Sequence, residues 1–210
     1  MLIADGSQAL AADIDRHALD GDDLMNSLTL ESYLTYLNDE VKPDFVLGRM
    51  STFQDGSGVF KEDTFNPSDN IVKGLSGQEA FVMIRKNQKR VRMGVHGINS
   101  KKFIIDNNLW FDETLVYSED AEWSVKAYLA AKSIRINNKP YYLARLNREG
   151  SCTSSLNLRK AQNVIEIYVK WVNFSKNRLN DSRFNKSLQS EAGKRYFYMI
   201  RKFDLALTST

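Results

Sequence analysis

The sequence predicts an α/β protein with a mostly parallel sheet flanked by helices, followed by a helical C-terminal extension. Three observations indicate this class. Short apolar runs bounded by turn residues alternate with segments whose apolar residues recur at helical spacing. Acidic side chains follow a predicted strand, at the sheet edge where open α/β sheets bind ligands. Residues 156–210 show helical spacing and no strand pattern.

Length and composition limit the other possibilities. A chain of 210 residues with 42% hydrophobic residues suits one domain, or one domain with a small appendage. The net charge of +3 gives no argument for nucleic acid as a partner. No apolar run is long enough to span a membrane, and residues 1–10 lack the features of a signal peptide. Cys152 is the only cysteine, which excludes an internal disulfide, and we expect a cytoplasmic protein.

The first half of the chain yields these predicted elements. Residues 14–19 suggest a short strand, and residues 30–37 have the spacing of a helix. A buried strand is predicted at 44–48. Residues 51–70 are rich in Gly, Ser, Asp and Asn, which predicts a loop containing one hairpin near residues 56–58.

The middle of the chain continues with helices and turns. We expect a helix at 76–86, a turn-rich connection at 94–99 and a short helix at 101–107. A further helix covers 123–132.

Two strands joined by a turn are predicted next. They are residues 134–136 and 141–146, with the turn at 137–139. A polar loop then leads into the helices of the extension. The predicted domain organisation is therefore a core at 1–155 and an extension at 156–210.

The extension is basic and carries aromatic side chains. Residues 156–210 contain 11 basic and 4 acidic residues. This imbalance favours an anionic partner, and the alternative is a solvated helical face. Tyr168 and Trp171 share one helical face, as do Tyr196 and Phe203. Such faces beside basic residues predict peripheral contact with an anionic membrane.

Two clusters of carboxylates are the candidates for chemistry. The first is Asp-Gly-Asp-Asp at 20–23, directly after the predicted strand. Hard divalent cations such as Mg²⁺ and Mn²⁺ prefer carboxylate and phosphate oxygens, and glycine permits close approach of a ligand. The alternative is a polar turn with a helix cap. The second cluster is Glu119, Asp120 and Glu122, where acids in a first helical turn are also favoured simply by the helix dipole.

The surroundings of both clusters resemble one family. An apolar strand, Leu-Asp-x-Asp-Asp and then Thr-Leu-Glu at 29–31 is similar to the Asp-x-Asp segment of bacterial, inverting family 2 glycosyltransferases. Further stretches resemble that family in the same order: Asp-x-Val-x-Gly at 44–48, Asn-x-x-Phe-x-Glu at 108–113, Glu-Asp at 119–120, the Pro-Leu-Tyr-x-Tyr-Arg strand at 140–145 and Arg-x-Gly-Ser-x-Thr at 148–153.

This resemblance implies a fold, a reaction and roles for the acids. The fold is GT-A, which binds a nucleotide-sugar and a divalent cation, here Mn²⁺ or Mg²⁺. Asp22, with Asp20, would hold the metal, and Asp20, Asp23 and Arg148 would contact the nucleotide-sugar. Asp120, or alternatively Glu119, would deprotonate the hydroxyl of a glycan or lipid-linked acceptor in the cell envelope or capsule. We expect the remaining acids of this turn to face solvent or a basic partner.

One feature departs from the family. The relatives carry their first strands and the contacts to the nucleotide base in a longer segment before Asp-x-Asp, whereas only 19 residues precede Asp20 here. The resemblance therefore predicts a GT-A core truncated at its N-terminus, or one completed by another chain. The alternative function is a non-catalytic binding or assembly module derived from such an enzyme.

Overall fold

The computed structural model describes residues 2–4, 17–19, 24–25, 29–54, 59–62, 64–88, 91, 97–146, 158–178 and 182–208. The strands are β1 (Leu2–Ala4), β2 (His17–Leu19), β3 (Leu24–Met25), β4 (Phe45–Gln54), β5 (Phe60–Glu62), β6 (Gly97–Asn99) and β7 (Ile134–Leu146). The helices are α1 (Thr29–Leu34), α2 (Gly77–Gln88), α3 (Lys101–Asp106), α4 (Glu119–Ala130), α5 (Leu158–Arg178) and α6 (Ser182–Thr208), with 3₁₀ turns at Thr35–Asn38 and Asp69–Ile71.

The predicted α/β class is confirmed: an open sheet carries helices, and helices follow it at the C-terminus. Within the described residues the sheet has five strands in the order β3-β7-β4-β5, with β6 also paired to β4. The longest pairing, between β4 and β7, is parallel, and the three shorter pairings are antiparallel. Parallel pairing is thus confined to the central two strands. β5 must run antiparallel because it follows β4 through a short connection. β1 and β2 form a separate antiparallel pair.

The two faces of the central sheet enter two different apolar clusters. Phe45 and Leu47 of β4 lie in the larger cluster, together with residues of α2, α4, α5 and α6. Val46 lies between them in sequence and faces the smaller cluster with Tyr33 of α1 and Tyr142 of β7. Successive strand residues point to opposite faces, so this alternation covers the sheet with helices on both sides.

The segment at 94–99, predicted as a turn-rich connection, contains a strand, so this prediction was wrong for residues 97–99. β6 pairs with the start of β4 and is buried. A Cβ placed on Gly97 would lie 2.2 Å from the carbonyl oxygen of Val46. Glycine at position 97 therefore allows the backbones of β6 and β4 to approach closely, which is one reason for a glycine within a strand.

The predicted turn at 137–139 is also wrong. β7 runs without interruption from Ile134 to Leu146, and its register with β4 shifts around Arg49, which lies opposite Pro140. The Oδ1 atom of Asn137 accepts a hydrogen bond from the Lys139 N–H at 3.1 Å, and its Nδ2 donates to Ser32 Oγ at 2.7 Å. The turn-forming residues thus make an irregularity within a strand, a position that also tolerates proline.

The hairpin predicted near residues 56–58 agrees with the strands on either side of it. Phe53 of β4 lies opposite Phe60 of β5 in an antiparallel pair, and their ring centroids are 5.7 Å apart. Residues 55–58 lie outside the described part of the chain.

The C-terminal helices pack into the same apolar cluster as the sheet. Ile167 and Trp171 of α5 and Phe184 and Leu188 of α6 are buried there. In addition, Glu191 of α6 lies between two arginines: its Oε1 is 2.9 Å from Nε of Arg195, and its Oε2 is 3.2 Å from Nε of Arg85 in α2. Glu191 is only 4% exposed. A buried ion pair therefore joins α6 to the helices of the sheet.

None of the helices in the described residues is long and apolar enough to cross a membrane.

Candidate active site

Glu119 and Asp120 form the first turn of α4. Ser118, the residue before the helix, has φ 63° and ψ 22°, in the left-handed region. That conformation costs a non-glycine residue about 1 kcal/mol, and such strain often accompanies functional sites. Asp120 Oδ1 accepts a hydrogen bond from the Ala121 N–H at 2.6 Å, and the Asp120 carbonyl accepts one from the Ser124 hydroxyl at 2.7 Å. Both side chains are partly exposed, so the turn presents fixed carboxylates at the surface.

The third acid of this turn has a structural partner. Glu122 Oε1 lies 2.8 Å from Lys126 Nζ, one helical turn further along α4. This agrees with the expectation that an acid beside Asp120 has a basic partner. Glu119 and Asp120 are therefore the candidates for chemistry.

The loop before α4 is packed on the helix it precedes. The Trp123 indole N–H donates to the Leu109 carbonyl at 3.1 Å, and the ring of Phe111 stacks on Trp123 with centroids 5.9 Å apart. The next turn is held by Asp112, which accepts hydrogen bonds from the Thr114 hydroxyl at 2.6 Å and the Thr114 N–H at 3.0 Å. These bonds lower the pKa of the Asp112 carboxyl. The loop that carries the Asn-x-x-Phe-x-Glu resemblance is thus fixed relative to Asp120.

Helix α5 supports the same loop from the other side. Asn163 Oδ1 accepts a hydrogen bond from the Val116 N–H at 3.1 Å, and the Lys160 ammonium lies 5.9 Å from the centroid of the Tyr117 ring. Both α5 side chains are buried, with exposed fractions of 7% for Asn163 and 8% for Lys160. Neither residue is predicted as functional from the sequence. The available signal was two polar residues on the same helical face as Ile167 and Trp171.

Replacing Asn163 with alanine is expected to lower the free energy of unfolding by about 1 kcal/mol, since the Val116 N–H loses its acceptor. If the protein has the transferase activity that the resemblance implies and the loop fixes Asp120, kcat for that reaction should fall more than KM changes. Urea unfolding and initial-rate kinetics measure the two effects. Asn173→Ala, on an exposed face of α5, serves as the control. Equal losses from both alanine variants would contradict the supporting role.

The first acidic cluster lies outside the described residues, as does Arg148. Asp20 follows β2 directly in sequence, and Asp22 and Asp23 directly precede β3. β3 runs antiparallel to β7, with Leu24 opposite Leu143 near the end of that strand. β3 therefore begins at the edge of the sheet where β7 ends. Arg148 follows Leu146, the last residue of β7, by two positions in the sequence.

The second acidic cluster lies at the far end of α4 from the start of the sheet. Asp44, just before β4, accepts hydrogen bonds from the backbone N–H groups of Lys132 and Ser133, at 2.6 and 3.1 Å. The Phe45 ring meets the Tyr128 ring edge-on at a centroid distance of 5.3 Å. The last turn of α4 is thus fixed where β4 and β7 begin, and its first turn is about 18 Å away along the axis of this 12-residue helix.

A cavity of about 560 Å³ lies where β7 begins, lined in part by Asp39, Lys132 and Arg135. The guanidinium of Arg135 already has two acidic partners. Its Nη2 lies 2.7 Å from Asp69 Oδ2, and it also forms an ion pair with Asp39. The Tyr36 ring lies 5.0 Å from this guanidinium. Of the predicted site residues that the structure describes, neither Glu119 nor Asp120 lines this cavity, so the turn at Asp120 remains the candidate site.

The chemistry of the donor groups can be compared with the expected metal. Within the described ranges, no group of three or more His, Cys, Asp or Glu side chains is placed to hold an ion. Asp20 and Asp22 lie outside those ranges. A set of two carboxylates suits Mg²⁺ or Mn²⁺ together with a diphosphate, because these ions take one or two protein carboxylates and complete their coordination with phosphate and water.

Comparison with solved structures identifies similar folds. The chain resembles residues 1–349 of S. aureus TarS in complex with UDP-GlcNAc, with a TM-score of 0.60 and 25% identity over 86% of this chain and 48% of that one. It also resembles TarS 1–349 without that ligand, with a TM-score of 0.59 and 21% identity over 89% and 48% of the two chains. The chain thus spans about half the length of these structures. No protein-family model matches it, and no curated protein matches it in sequence.

Proposed function

We propose that this protein is a glycosyltransferase. It transfers a hexose, with inversion, from a nucleotide-sugar to a glycan or lipid-linked acceptor of the cell envelope or capsule. The observation that carries the proposal is the likeness, over 86% of the chain, to a structure solved with UDP-GlcNAc. The sequence motifs between Asp20 and Thr153, which occur in the same order as in the family, support the proposal independently of the fold.

The arrangement of the strands and of α4 supports a site in which residues 20–23 and the first turn of α4 lie close together. Ligands in open α/β sheets bind beyond the carboxyl ends of the strands. The chain carrying residues 20–23 enters β3 at that edge, and a helix joined to a parallel strand by a short connection runs antiparallel to it. The first turn of α4 would then lie at the same edge, with Asp120 facing the bound donor.

In the proposed reaction, Asp120 accepts the proton of the acceptor hydroxyl. The hydroxyl oxygen attacks the anomeric carbon from the face opposite the diphosphate, the bond from that carbon to the diphosphate oxygen breaks, and the nucleoside diphosphate leaves. Glu119 is the second candidate for the base. Asp20 and Asp23 would bind the donor, and Arg148 would place positive charge near the leaving group. Asp22 and Asp20 would hold a divalent cation, which when bound would supply charge stabilisation for the diphosphate.

The direct test supplies the full-length protein with UDP-GlcNAc and other UDP-hexoses, Mn²⁺ and candidate glycan acceptors. It measures UDP release, product mass and, by NMR, the anomeric configuration of the product. Acceptor-dependent release of UDP with an inverted linkage is the expected result. Binding of UDP-sugar without any transfer would favour the alternative, a non-catalytic module. The absence of both binding and transfer would contradict the nucleotide-sugar assignment.

The metal assignment makes a separate prediction. Adding Mn²⁺ should raise the affinity of the protein for UDP, because Asp22 would hold the ion and the charge of the ion would favour binding of the diphosphate. Asp22→Ala should remove this gain, and chelation of the metal should do the same for the wild type. Calorimetric titration of UDP with and without Mn²⁺ measures both. Glu31→Ala, on the neighbouring helix α1, is the control variant. A metal-dependent gain that survives Asp22→Ala would contradict the assignment.

A further inference from the structure

The outward face of α6 carries large apolar side chains that the fold does not bury. Phe197 is 71% exposed, and Tyr196, Tyr198 and Ile200 are exposed as well. The opposite face of the same helix, with Phe184, Leu188 and Ala192, lies in the core. The exposed residues therefore do not arise from a poorly packed helix. They lie on the side directed away from the protein.

The neighbours of Phe197 on the helix surface are cationic, apolar or absent. Residues three and four positions away are adjacent on a helix. For Phe197 these neighbours are Gly193, Lys194, Ile200 and Arg201. Of the four, Gly193 has no side chain. We call Lys194, Tyr196, Phe197, Tyr198, Ile200 and Arg201 the α6 patch. An aromatic side chain with one apolar and two cationic neighbours thus lies at its centre.

The exposed charges of α6 between residues 182 and 201 have one sign. They are Arg183, Lys186, Lys194 and Arg201. The acid in that stretch is Glu191, which is buried against Arg85 and Arg195, and the next acid of the helix in sequence is Asp204. Over residues 182–201 the net attraction is therefore toward anions.

We propose that the α6 patch docks on an anionic lipid surface. The composition of the patch favours an anionic lipid surface, because its exposed cations flank aromatic and apolar side chains, the combination that lies at the boundary of lipid head groups. Aromatic side chains favour the boundary between lipid head groups and acyl chains, where the aliphatic stems of lysine and arginine also lie with their charges toward the phosphates. The proposal stands on α6 alone, so it does not depend on the glycosyltransferase assignment.

Sedimentation of the full-length protein with vesicles tests the docking. Vesicles of phosphatidylcholine with a quarter phosphatidylglycerol should bind the protein at low salt, and pure phosphatidylcholine vesicles should bind it at least about tenfold more weakly. Raising the salt to about 0.5 M should release most of the protein, because the Debye length falls to a few ångströms. Equal binding to both vesicle types, or no binding at low salt, would overturn the proposal.

Paired variants separate the two contributions. Phe197→Ser with Ile200→Ser should reduce binding about tenfold or more and leave its relative salt dependence in place. Lys194→Gln with Arg201→Gln should reduce binding and flatten the salt dependence. Val59→Ser is the matched control, because Val59 is 70% exposed beside β5 rather than on α6. Circular dichroism melting confirms that each variant is folded.

Wild-type vesicle binding by both paired variants would place the contact elsewhere on the protein. Analytical ultracentrifugation of the same variants tests whether a second copy of the chain binds the α6 patch instead of lipid. A dimer that Phe197→Ser with Ile200→Ser dissociates would assign the patch to a second copy of the chain and overturn the lipid proposal.

Discussion

Replacing Asp120 with asparagine is expected to reduce sugar transfer about 100-fold or more, the usual contribution of a general base. Asparagine keeps an oxygen that can accept the hydrogen bond from the Ala121 N–H, now made by Asp120 Oδ1 at 2.6 Å. The start of α4 should therefore survive, with a loss of at most about 1 kcal/mol from the missing charge at the helix N-terminus. Affinity for UDP should remain within a few-fold of the wild type, as calorimetry would measure.

Two matched variants make the result specific. Glu122→Gln changes an acid in the same helical turn whose carboxylate is paired with Lys126, and it should retain most of the transfer rate. Glu119→Gln distinguishes the second candidate: if Glu119 is the base, this variant and not Asp120→Asn should lose activity. Near-normal transfer by Asp120→Asn would remove Asp120 from the reaction, whereas an inactive wild type would count against the proposed function itself.

Replacing Glu191 with alanine is expected to lower the free energy of unfolding by about 3–5 kcal/mol, the usual cost of leaving a buried charge without its partner. The affected groups are Arg195 and Arg85, which lie 2.9 and 3.2 Å from the carboxylate. The change is large compared with the total stability of about 5–15 kcal/mol of a typical domain. Urea unfolding followed by circular dichroism measures it directly.

The same experiment tests the predicted boundary between residues 155 and 156. Glu191 belongs to α6 and Arg85 to α2, so the ion pair crosses that boundary. If core and extension unfold as one unit, Glu191→Ala should shift a single transition monitored by both far-ultraviolet circular dichroism and tryptophan fluorescence. Two separate transitions would indicate independent units. Glu166→Ala, an exposed acid on α5, should leave the transition unchanged within about 0.5 kcal/mol.

The sequence predicted those elements whose pattern is local. The helical spacing at 76–86 became α2, and the acids before Trp123 proved to be the first turn of α4. Gly97 and Asn137 have the residue types of turns, and the partners that place them in strands come from distant parts of the chain: the β4 backbone for Gly97 and the Ser32 side chain of α1 for Asn137. Local propensity cannot distinguish a glycine in a turn from one beneath another backbone.

For the candidate site, the same distinction holds. Residue type and order alone single out Glu119 and Asp120 as candidates, and their catalytic roles stay predictions. Asn163 and Lys160 could not be identified in this way, because their importance depends on how α5 packs against a loop more than 40 residues earlier, where Asn163 meets Val116. The contacts of Asp20, Asp22, Asp23 and Arg148 remain predictions.

The pairing of β4 with β7 also governs the order in which the protein folds as it is synthesised. About 80 residues separate Gln54 from Ile134, so at 5–20 residues per second β4 leaves the ribosome about 4–16 s before its long partner. During that interval Phe45, Val46 and Leu47 lack the strand that pairs with them on one side and the helices α5 and α6. The nascent chain therefore exposes an aggregation-prone apolar strand for seconds. We expect its folding to rely on chaperones that bind such segments.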